Sequence, residues 1–362
     1  MHRQSINALF LLFGLFDLPA QEAFKANQFL PGDYHNLVHF DLARLRQSGV
    51  WDELGVGVSK MYLGMIENQV GLPFDDLDRV TMVPMARPRD ADDDHGPSQV
   101  HVVVFEGNKA LDVPRDVAIS PFESETIGTC KVMRSQRWED VLFYQPRPEL
   151  QVRGATALLR PVLEGKPSLG MPCADILSLM SGRGDSLFHM VINLADDRLN
   201  DDALETLFPD TEWPEGGKPQ YMLLRLAAVG DPDDPHVVFE AVLRHALAGD
   251  ALAISEKGID TLLAKGVEHP ELRLIRPLLE KIERSRDRTD LTLKIDLGRP
   301  RAAVGTLMTV MVPLMMVGTT VQRQQVVEIA PAAEAKPEPA DPKPVVTTPK
   351  PGEKRDPDKQ LP

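Results

Sequence analysis

The stretch LVHFDL, residues 37–42, sets the pattern from which the fold of this chain can be predicted. Similar phrases return at residues 188–194 (FHMVINL) and 291–297 (LTLKIDL), each an apolar run that ends in Asp or Asn followed by Leu. Short apolar runs of this kind bury one face of a pleated strand. The three phrases therefore predict strands that open, renew and close one repeated plan.

The order of predicted elements is the same in two parts of the chain, 28–165 and 166–321. In the first part a strand, a helix, a strand, a polar loop and a strand are predicted at 37–42, 50–70, 80–85, 87–99 and 100–105. In the second part the same order recurs at 188–194, 200–207, 221–229, 230–235 and 236–243. We interpret this order as an internal duplication. It predicts an α+β fold of duplicated strand-helix-strand-strand units with antiparallel or mixed sheets.

Further elements follow from the same periodicities. Strands are predicted at 127–133 and 141–145, and helices at 154–164, 259–265 and 271–287. In the last of these helices apolar residues share one face and Glu280 lies four residues before Arg284, a spacing that allows an ion pair along a helix.

The N-terminus has the three-part layout of a secretory signal. A basic start is followed by the apolar run 6–16 (INALFLLFGLF) and then by small residues after Pro19. The run is short for a membrane span. Four interpretations stay open for residues 1–27: a cleaved signal peptide, an uncleaved anchor, an ordinary buried helix and a misplaced start codon. We expect an exported protein of the periplasm or cell envelope.

Two C-terminal segments differ in composition from the rest. Residues 302–321 carry no charge and satisfy the length rule for a transmembrane helix. Thr, Gly and Pro dilute their hydrophobicity and both flanks are basic, so we favour an apolar helix inside the domain over a membrane span. Residues 330–362 are rich in Pro, Lys, Glu, Asp and Ala, which predicts a disordered tail. Any membrane association is expected through 6–16 or 302–321.

The overall charge restricts the class of partner. The formal net charge is −14 and 43% of the residues are hydrophobic, enough for a sizeable core. Nucleic-acid binding depends on clustered Lys and Arg, so an acidic chain argues against it. The same acidity argues against docking on an anionic membrane surface. The expected partner is an unidentified protein or envelope component.

Candidate ligands for metals are few. Asp90, Asp92 and Asp94 alternate as in a calcium loop, but an EF-hand needs glycine at position six and glutamate at position twelve. Here those positions hold His95 and His101, so a solvated acidic loop is the favoured interpretation. We predict no metal site and no cofactor.

The two cysteines, Cys130 and Cys173, have no metal-binding spacing. They are expected either as one disulfide or as two separate buried thiols, and the sequence does not decide between these alternatives.

No catalytic motif is present. The chain lacks a Walker motif, a GxSxG elbow, an HExxH pair and an SxxK motif. His39, His101 and His189 fall inside predicted strands, which favours core or sheet-face positions over ligand roles. We therefore assign no catalytic residue and favour a non-catalytic binding or envelope-associated structural module. The alternatives are a hydrolase with a site assembled from distant residues, and a membrane-anchored scaffold that recruits a partner through its tail.

The order of elements also resembles a group of known families. The residues that carry the resemblance are LPGD at 30–33, before the first strand, and GLPFDDLDRV at 71–80, before the next strand. Over residues 28–320 the chain resembles uncharacterised exported α+β proteins of planctomycete-type bacteria. Such families carry no established activity, so the resemblance implies an architecture and an exported address and no catalytic residue.

Overall fold

A computed structural model describes the chain in segments. They are residues 27–32, 34–57, 60–61, 63–64, 67, 71–86, 99–112, 122–135, 141–165, 173–195, 204, 208, 211–231, 233–268 and 280–308. The chain divides into two compact units, Met1–Pro313 and Leu314–Pro362, and every described residue belongs to the first. The N-terminal segment up to residue 26, the loop with Asp90, Asp92 and Asp94, and the tail 330–362 lie outside the described residues.

The described strands form one twelve-stranded sheet in which every neighbouring pair is antiparallel. The strands are β1 (Leu37–Asp41), β2 (Leu77–Ala86), β3 (Gln99–Gly107), β4 (Phe122–Ile127), β5 (Cys130–Ser135), β6 (Val141–Arg147), β7 (Leu150–Ala155), β8 (Ser186–Asn193), β9 (Pro219–Asp231), β10 (Asp234–His245), β11 (Glu283–Asp287) and β12 (Asp290–Gly298). The helices are α1 (Leu42–Gln47), α2 (Val50–Leu54), α3 (Thr156–Leu163), α4 (Ala174–Met180), α5 (Asp250–Glu268) and α6 (300–308). The fold is α+β, as predicted.

The strand order places the first two strand phrases side by side. It runs β11-β12-β10-β9-β8-β1-β2-β3-β7-β6-β5-β4. The strands of residues 37–155 all lie on one side of the β1–β8 pairing, and those of residues 186–298 lie on the other. We call this pairing the seam. On either side of it an antiparallel meander leads outward, β1-β2-β3 in one direction and β8-β9-β10 in the other.

The two faces of the sheet are covered by different helices. Successive residues of a strand point to opposite faces. One face, which we call the histidine face, carries Leu37, His39 and Val191 and packs against α3 and α4. The other, the phenylalanine face, carries Phe40 and Phe188 and supports two clusters. The first cluster includes α1, α2 and α6, and the second includes α5.

A short helix that was not predicted, α1, precedes the predicted one. Asp41 ends β1 and caps α1, since its carboxylate accepts a hydrogen bond of 2.9 Å from the backbone N–H of Arg44. Gly49, at φ +73°, then separates α1 from α2, which ends before Gly55. Helix α2 begins at Val50, where the helix over 50–70 was predicted to begin, but it ends at Leu54. The helix α1 was not predicted, because the same Asp41 that ends the strand also caps this helix.

The prediction of a helix over 271–287 was wrong at its end. Residues 283–287 form β11, an edge strand paired with β12 through a turn at Arg288, φ +53°. All five residues of β11 are exposed. A fully solvated edge strand carries no apolar alternation, so its sequence has no strand signal to detect.

The apolar segment 302–321 is described only as far as residue 308. That part belongs to α6, where Ala303 and Val304 are buried in the first cluster of the phenylalanine face. Residues 309–321 lie outside the described residues. Within the described ranges, no helix combines the length and the hydrophobicity required to cross a membrane.

Candidate functional site

A row of polar side chains crosses the centre of the histidine face. The row consists of one residue from each of five neighbouring strands, each directly opposite the next: Thr81 of β2, His39 of β1, His189 of β8, Arg225 of β9 and Glu240 of β10. We call these five residues the polar row. Residues on neighbouring strands with this register have side chains close enough to interact. The row therefore places ionisable groups on both sides of the seam within one continuous line.

The two histidines of the polar row are stacked on each other across the seam. Their ring centroids are 4.8 Å apart and the rings are inclined by 22°. His39 Nδ1 lies 2.9 Å from Thr81 Oγ1, within hydrogen-bonding distance. Neither ring nitrogen of His189 has a hydrogen-bond partner among the described residues. His39 is 4% and His189 6% exposed, so both imidazoles are buried.

Burial and neighbouring cations keep both imidazoles neutral. Burial, together with the charges of Arg79 and Arg44, lowers the pKa of His39 to about 4. Burial also lowers the pKa of His189 well below its usual value, and the neighbouring His39 and Arg225 lower it further. Removing a cation from water without an anionic partner is costly, so neutralisation is the expected response.

The pair is poorly arranged to chelate a metal. Imidazole lone pairs lie in the ring plane, so two stacked rings do not direct their nitrogens at one common point. In the described part of the chain there is no group of three or more His, Cys, Asp or Glu residues that could hold a metal ion.

The outer end of the polar row is a charged network. Arg225 donates to Glu240 at 2.6 Å and to Ser186 at 2.9 Å, and it also pairs with Asp185. Arg183 is a second partner of Glu240 at 3.0 Å. Burial would raise the pKa of Glu240, but hydrogen bonds from the two arginines outweigh it and lower that pKa. Glu240 is therefore a charged group held between two cations.

The opposite face of the same central strands is apolar and part-exposed. Six apolar, part-exposed side chains of β2, β1 and β8 form two rows across these strands, and we call the six residues the apolar band. One row is Val80, Phe40 and Phe188, and the other is Met82, Val38 and Met190. The rings of Phe40 and Phe188 are 4.8 Å apart. Phe40 is 38% exposed although β1 is a central strand. Within the apolar band, Val80 and Phe188 pack against the first helix cluster of the phenylalanine face.

A second histidine site has the hydrogen bonds of a serine–histidine pair. His245 Nδ1 donates to the carbonyl of Gly217 at 3.0 Å, so its Nε2 accepts from the Ser255 hydroxyl, also at 3.0 Å. This is the tautomer that a general base requires. Ser255 is 0% exposed, however, and it lies on the buried side of α5. In this position the pair attaches α5 to the end of β10.

Both cysteines are free thiols in the structure. Cys173 precedes α4 and its thiol lies 3.6 Å from the Tyr221 hydroxyl, which in turn lies 2.8 Å from His35 Nδ1. Cys130, on β5, lies 3.9 Å from the carbonyl oxygen of Leu163. The two thiols thus contact different partners.

The outer strands of the sheet carry charge along their edges. On β4, Glu123 is exposed and Glu125 pairs with Arg160 at 2.6 Å. On β11, Arg284 pairs with Asp260 at 2.6 Å. Charged edge strands disfavour the addition of a further strand from another chain. A partner is therefore more readily accommodated on a face of this sheet than at its edges.

The sequence predicts strand positions for His39 and His189 but not their stacking. Both histidines are buried in strands of the structure. The polar row itself depends on the register of β1 with β8 and of β8 with β9, which no local motif encodes. The only signal in the sequence was that a histidine occurs within both of the first two strand phrases.

Comparisons with known proteins add a fold likeness and nothing more specific. No family model matches the chain, and no curated protein matches it. Among solved structures, crystal form III of TP0453 covers 78% of this chain and 96% of its own at 12% identity and a TM-score of 0.42. Crystal form IV of TP0453 covers 77% and 95% at 13% identity and a TM-score of 0.39. A likeness of this degree carries no argument about function. The resemblance to planctomycete-type families stays a prediction.

Proposed function

We propose that this chain is an exported, non-catalytic binding module and that the apolar band is its partner-binding surface. The observation that carries this proposal is the part-exposed pair Phe40–Phe188 at the centre of the sheet. Aromatic residues on central strands are ordinarily buried, and contiguous exposed apolar surface commonly marks an interaction site.

The composition of the apolar band supports a polypeptide partner. Phenylalanine and methionine are enriched in the cores of protein–protein interfaces. Met82 and Met190 have flexible, polarisable side chains that adapt to partners of different shape. The occupant we propose is an amphipathic helix of a partner protein. Such a helix binds a hydrophobic surface through apolar side chains along one of its faces.

The charge of the chain supports the same choice. A net charge of −14 disfavours nucleic acid and anionic lipid headgroups as partners. The charged edges of β4 and β11 disfavour a partner that adds a strand. With these partners disfavoured, the apolar band on the central strands is best suited to binding apolar side chains of a partner.

A hydrolase is the alternative function. The observation that favours it is the Ser255–His245 hydrogen bond, with the imidazole in the tautomer of a general base. Catalysis requires a substrate carbonyl about 3 Å from the serine oxygen. Because Ser255 is fully buried, this pair supports helix docking better than acyl transfer.

The binding surface can be tested with the dye 8-anilinonaphthalene-1-sulfonate, which fluoresces on exposed apolar surface. We expect the full-length folded protein to bind the dye and Phe40→Ser to reduce the fluorescence at least about threefold. The matched control is Val229→Ser, since Val229 is 36% exposed at the outer end of β9, away from the apolar band. An equal loss in both variants, or no loss in Phe40→Ser, would contradict the proposal.

The partner can be sought with a photo-crosslinking amino acid at position 40 in the native cell, with the same residue at position 229 as the control. We expect one discrete adduct from position 40, and mass spectrometry should place the crosslink on an apolar helix face. Export can be tested separately by N-terminal sequencing of the mature protein. An intact Met1 in the cytoplasmic fraction would contradict export and leave the binding surface untouched.

A further inference from the structure

The seam is a short connection in a long sheet. The pairing of β1 with β8 spans four residue pairs, from Leu37–Val191 to Phe40–Phe188. By contrast, β9 and β10 pair over twelve. One of the four seam pairs is His39–His189. A local opening of the sheet therefore breaks fewer backbone hydrogen bonds at the seam than in the β9–β10 hairpin.

We propose that His39 and His189 form an acid-sensitive contact, and that protonation of either imidazole separates β1 from β8. The stacked arrangement places the centroids of two imidazole rings 4.8 Å apart, so that charging both would place two cations side by side. Like charges directly opposite on neighbouring strands are destabilising. His189 also has no acceptor among the described residues to which a new N–H could donate.

The arginines near the pair oppose protonation, and the carboxylates of the neighbouring elements are paired with arginines. The arginines are Arg44 of α1, Arg79 of β2, Arg225 of β9 and Arg183 of the α4–β8 turn, and the carboxylates are Asp41 of β1, Glu106 of β3, Glu240 of β10 and Asp185 of the α4–β8 turn. Each carboxylate in this set is already within ion-pair distance of an arginine. A protonated histidine would therefore be repelled by the neighbouring arginines, and the nearby carboxylates already form ion pairs with those arginines.

Opening of the seam changes the opposite face as well. Phe40 directly follows His39 on β1, and Phe188 directly precedes His189 on β8. The two phenylalanine rings contact each other across the same two strands. Separation of β1 from β8 therefore divides the apolar band. On the proposed function, a bound partner would be released in mildly acidic surroundings, and this last step alone rests on that function.

The test is hydrogen exchange of the full-length protein at about pH 7.5 and 5.5, corrected for the intrinsic pH dependence of amide exchange. Peptides that cover 37–41 and 186–193 should lose protection about tenfold for each histidine that charges in the open state. Peptides from β9 and β10 are the internal control and should keep their protection. The result that would overturn the proposal is unchanged seam protection, or a loss of equal size throughout the sheet.

The matched variants separate the histidines from general acid effects. His39→Asn combined with His189→Phe keeps a polar group beside Thr81 and an aromatic ring in the stack, and it removes both titrations. We expect this double variant to keep its seam protection at pH 5.5. His236→Gln, which changes an exposed histidine, should behave like wild type. Loss of seam protection in the double variant would refute the proposal.

A third measurement covers the case in which the double variant does not fold. NMR titration of ring-labelled histidine in the wild-type protein should show His39 and His189 still neutral at pH 5.5 in the closed state. An imidazole that protonates near pH 6.5 while the seam stays protected would also overturn the proposal. None of these readouts involves the dye or a partner, so a failure of the proposed function would be seen separately.

Discussion

The two faces of the sheet at the seam have opposite distributions of polarity. On the histidine face, ionisable side chains are buried in the middle of an otherwise apolar core. On the phenylalanine face, aromatic and methionine side chains of the same strands are part-exposed. Folding stability alone favours the reverse, because burial of apolar area stabilises and burial of polar groups costs free energy.

The two faces differ in whether contacts within the chain offset the unfavourable placement of their side chains. The charged end of the polar row offsets its burial through multiple hydrogen bonds to Glu240. Among the described residues, no contact offsets the exposure of the apolar band, since part of the apolar surface of its side chains stays in water in the folded chain.

The largest contrast is expected within β1 itself. Leu37 is fully buried on the histidine face, and Phe40 is 38% exposed on the other. We expect Leu37→Ala to lower the free energy of unfolding by about 3 kcal/mol, since it leaves a cavity. Phe40→Ala should cost less, about 2 kcal/mol, because more than a third of this residue is already in water. Urea denaturation at neutral pH measures both. If the two variants cost the same, the apolar band is core and its proposed role is wrong.

The second contrast concerns buried and exposed charge. Glu240→Ala removes the carboxylate that Arg183 and Arg225 share and leaves Arg225 paired with Asp185, and removal of one member of a buried pair costs about 3 kcal/mol. Asp260→Ala removes an exposed partner of Arg284 and should cost under about 1 kcal/mol. The measurement is again urea denaturation at neutral pH. Equal losses would show that the outer end of the polar row is solvated.

The third prediction concerns pH. The pKa of His39 is about 4 in the folded chain, below the unfolded value of 6.5, so the unfolded state binds more protons between these values. Stability from this group is fully present above pH 6.5 and is lost as the pH falls towards 4. Between pH 6.5 and 5 we expect a loss of about 2 kcal/mol from His39 alone. Urea denaturation across this range should show the slope in wild type and a smaller one in His39→Asn. A flat wild-type profile would contradict the burial of a neutral His39.

Much of the strand content follows from local pattern. Two strands were predicted at 221–229 and 236–243, and in the structure they extend to Pro219–Asp231 and Asp234–His245. Alternating apolar residues give this signal because one face of each strand is buried. The strand β7 was missed, since Gly154 and the polar residues Gln151 and Arg153 interrupt its apolar pattern.

Elements that depend on distant contacts could not be predicted. The strand β11 forms because β12 offers it a partner, and its own residues are charged and exposed. The Ser255–His245 hydrogen bond joins a helix to the end of a strand and has no sequence motif. In both cases the stabilising contact comes from another element, so the local sequence contains no sign of it.

The strand phrase LVHFDL alone predicted a strand over 37–42, since the alternation of apolar side chains is a local property, and the strand of the structure ends one residue earlier, at Asp41. It also determined that His39 and Phe40 would point to opposite faces. Tertiary structure decided that the second phrase pairs with the first, in the register that stacks His189 on His39 and Phe188 on Phe40. The physical reason is that register is fixed by the burial of whole faces across the sheet, and a shift of one residue would exchange those faces.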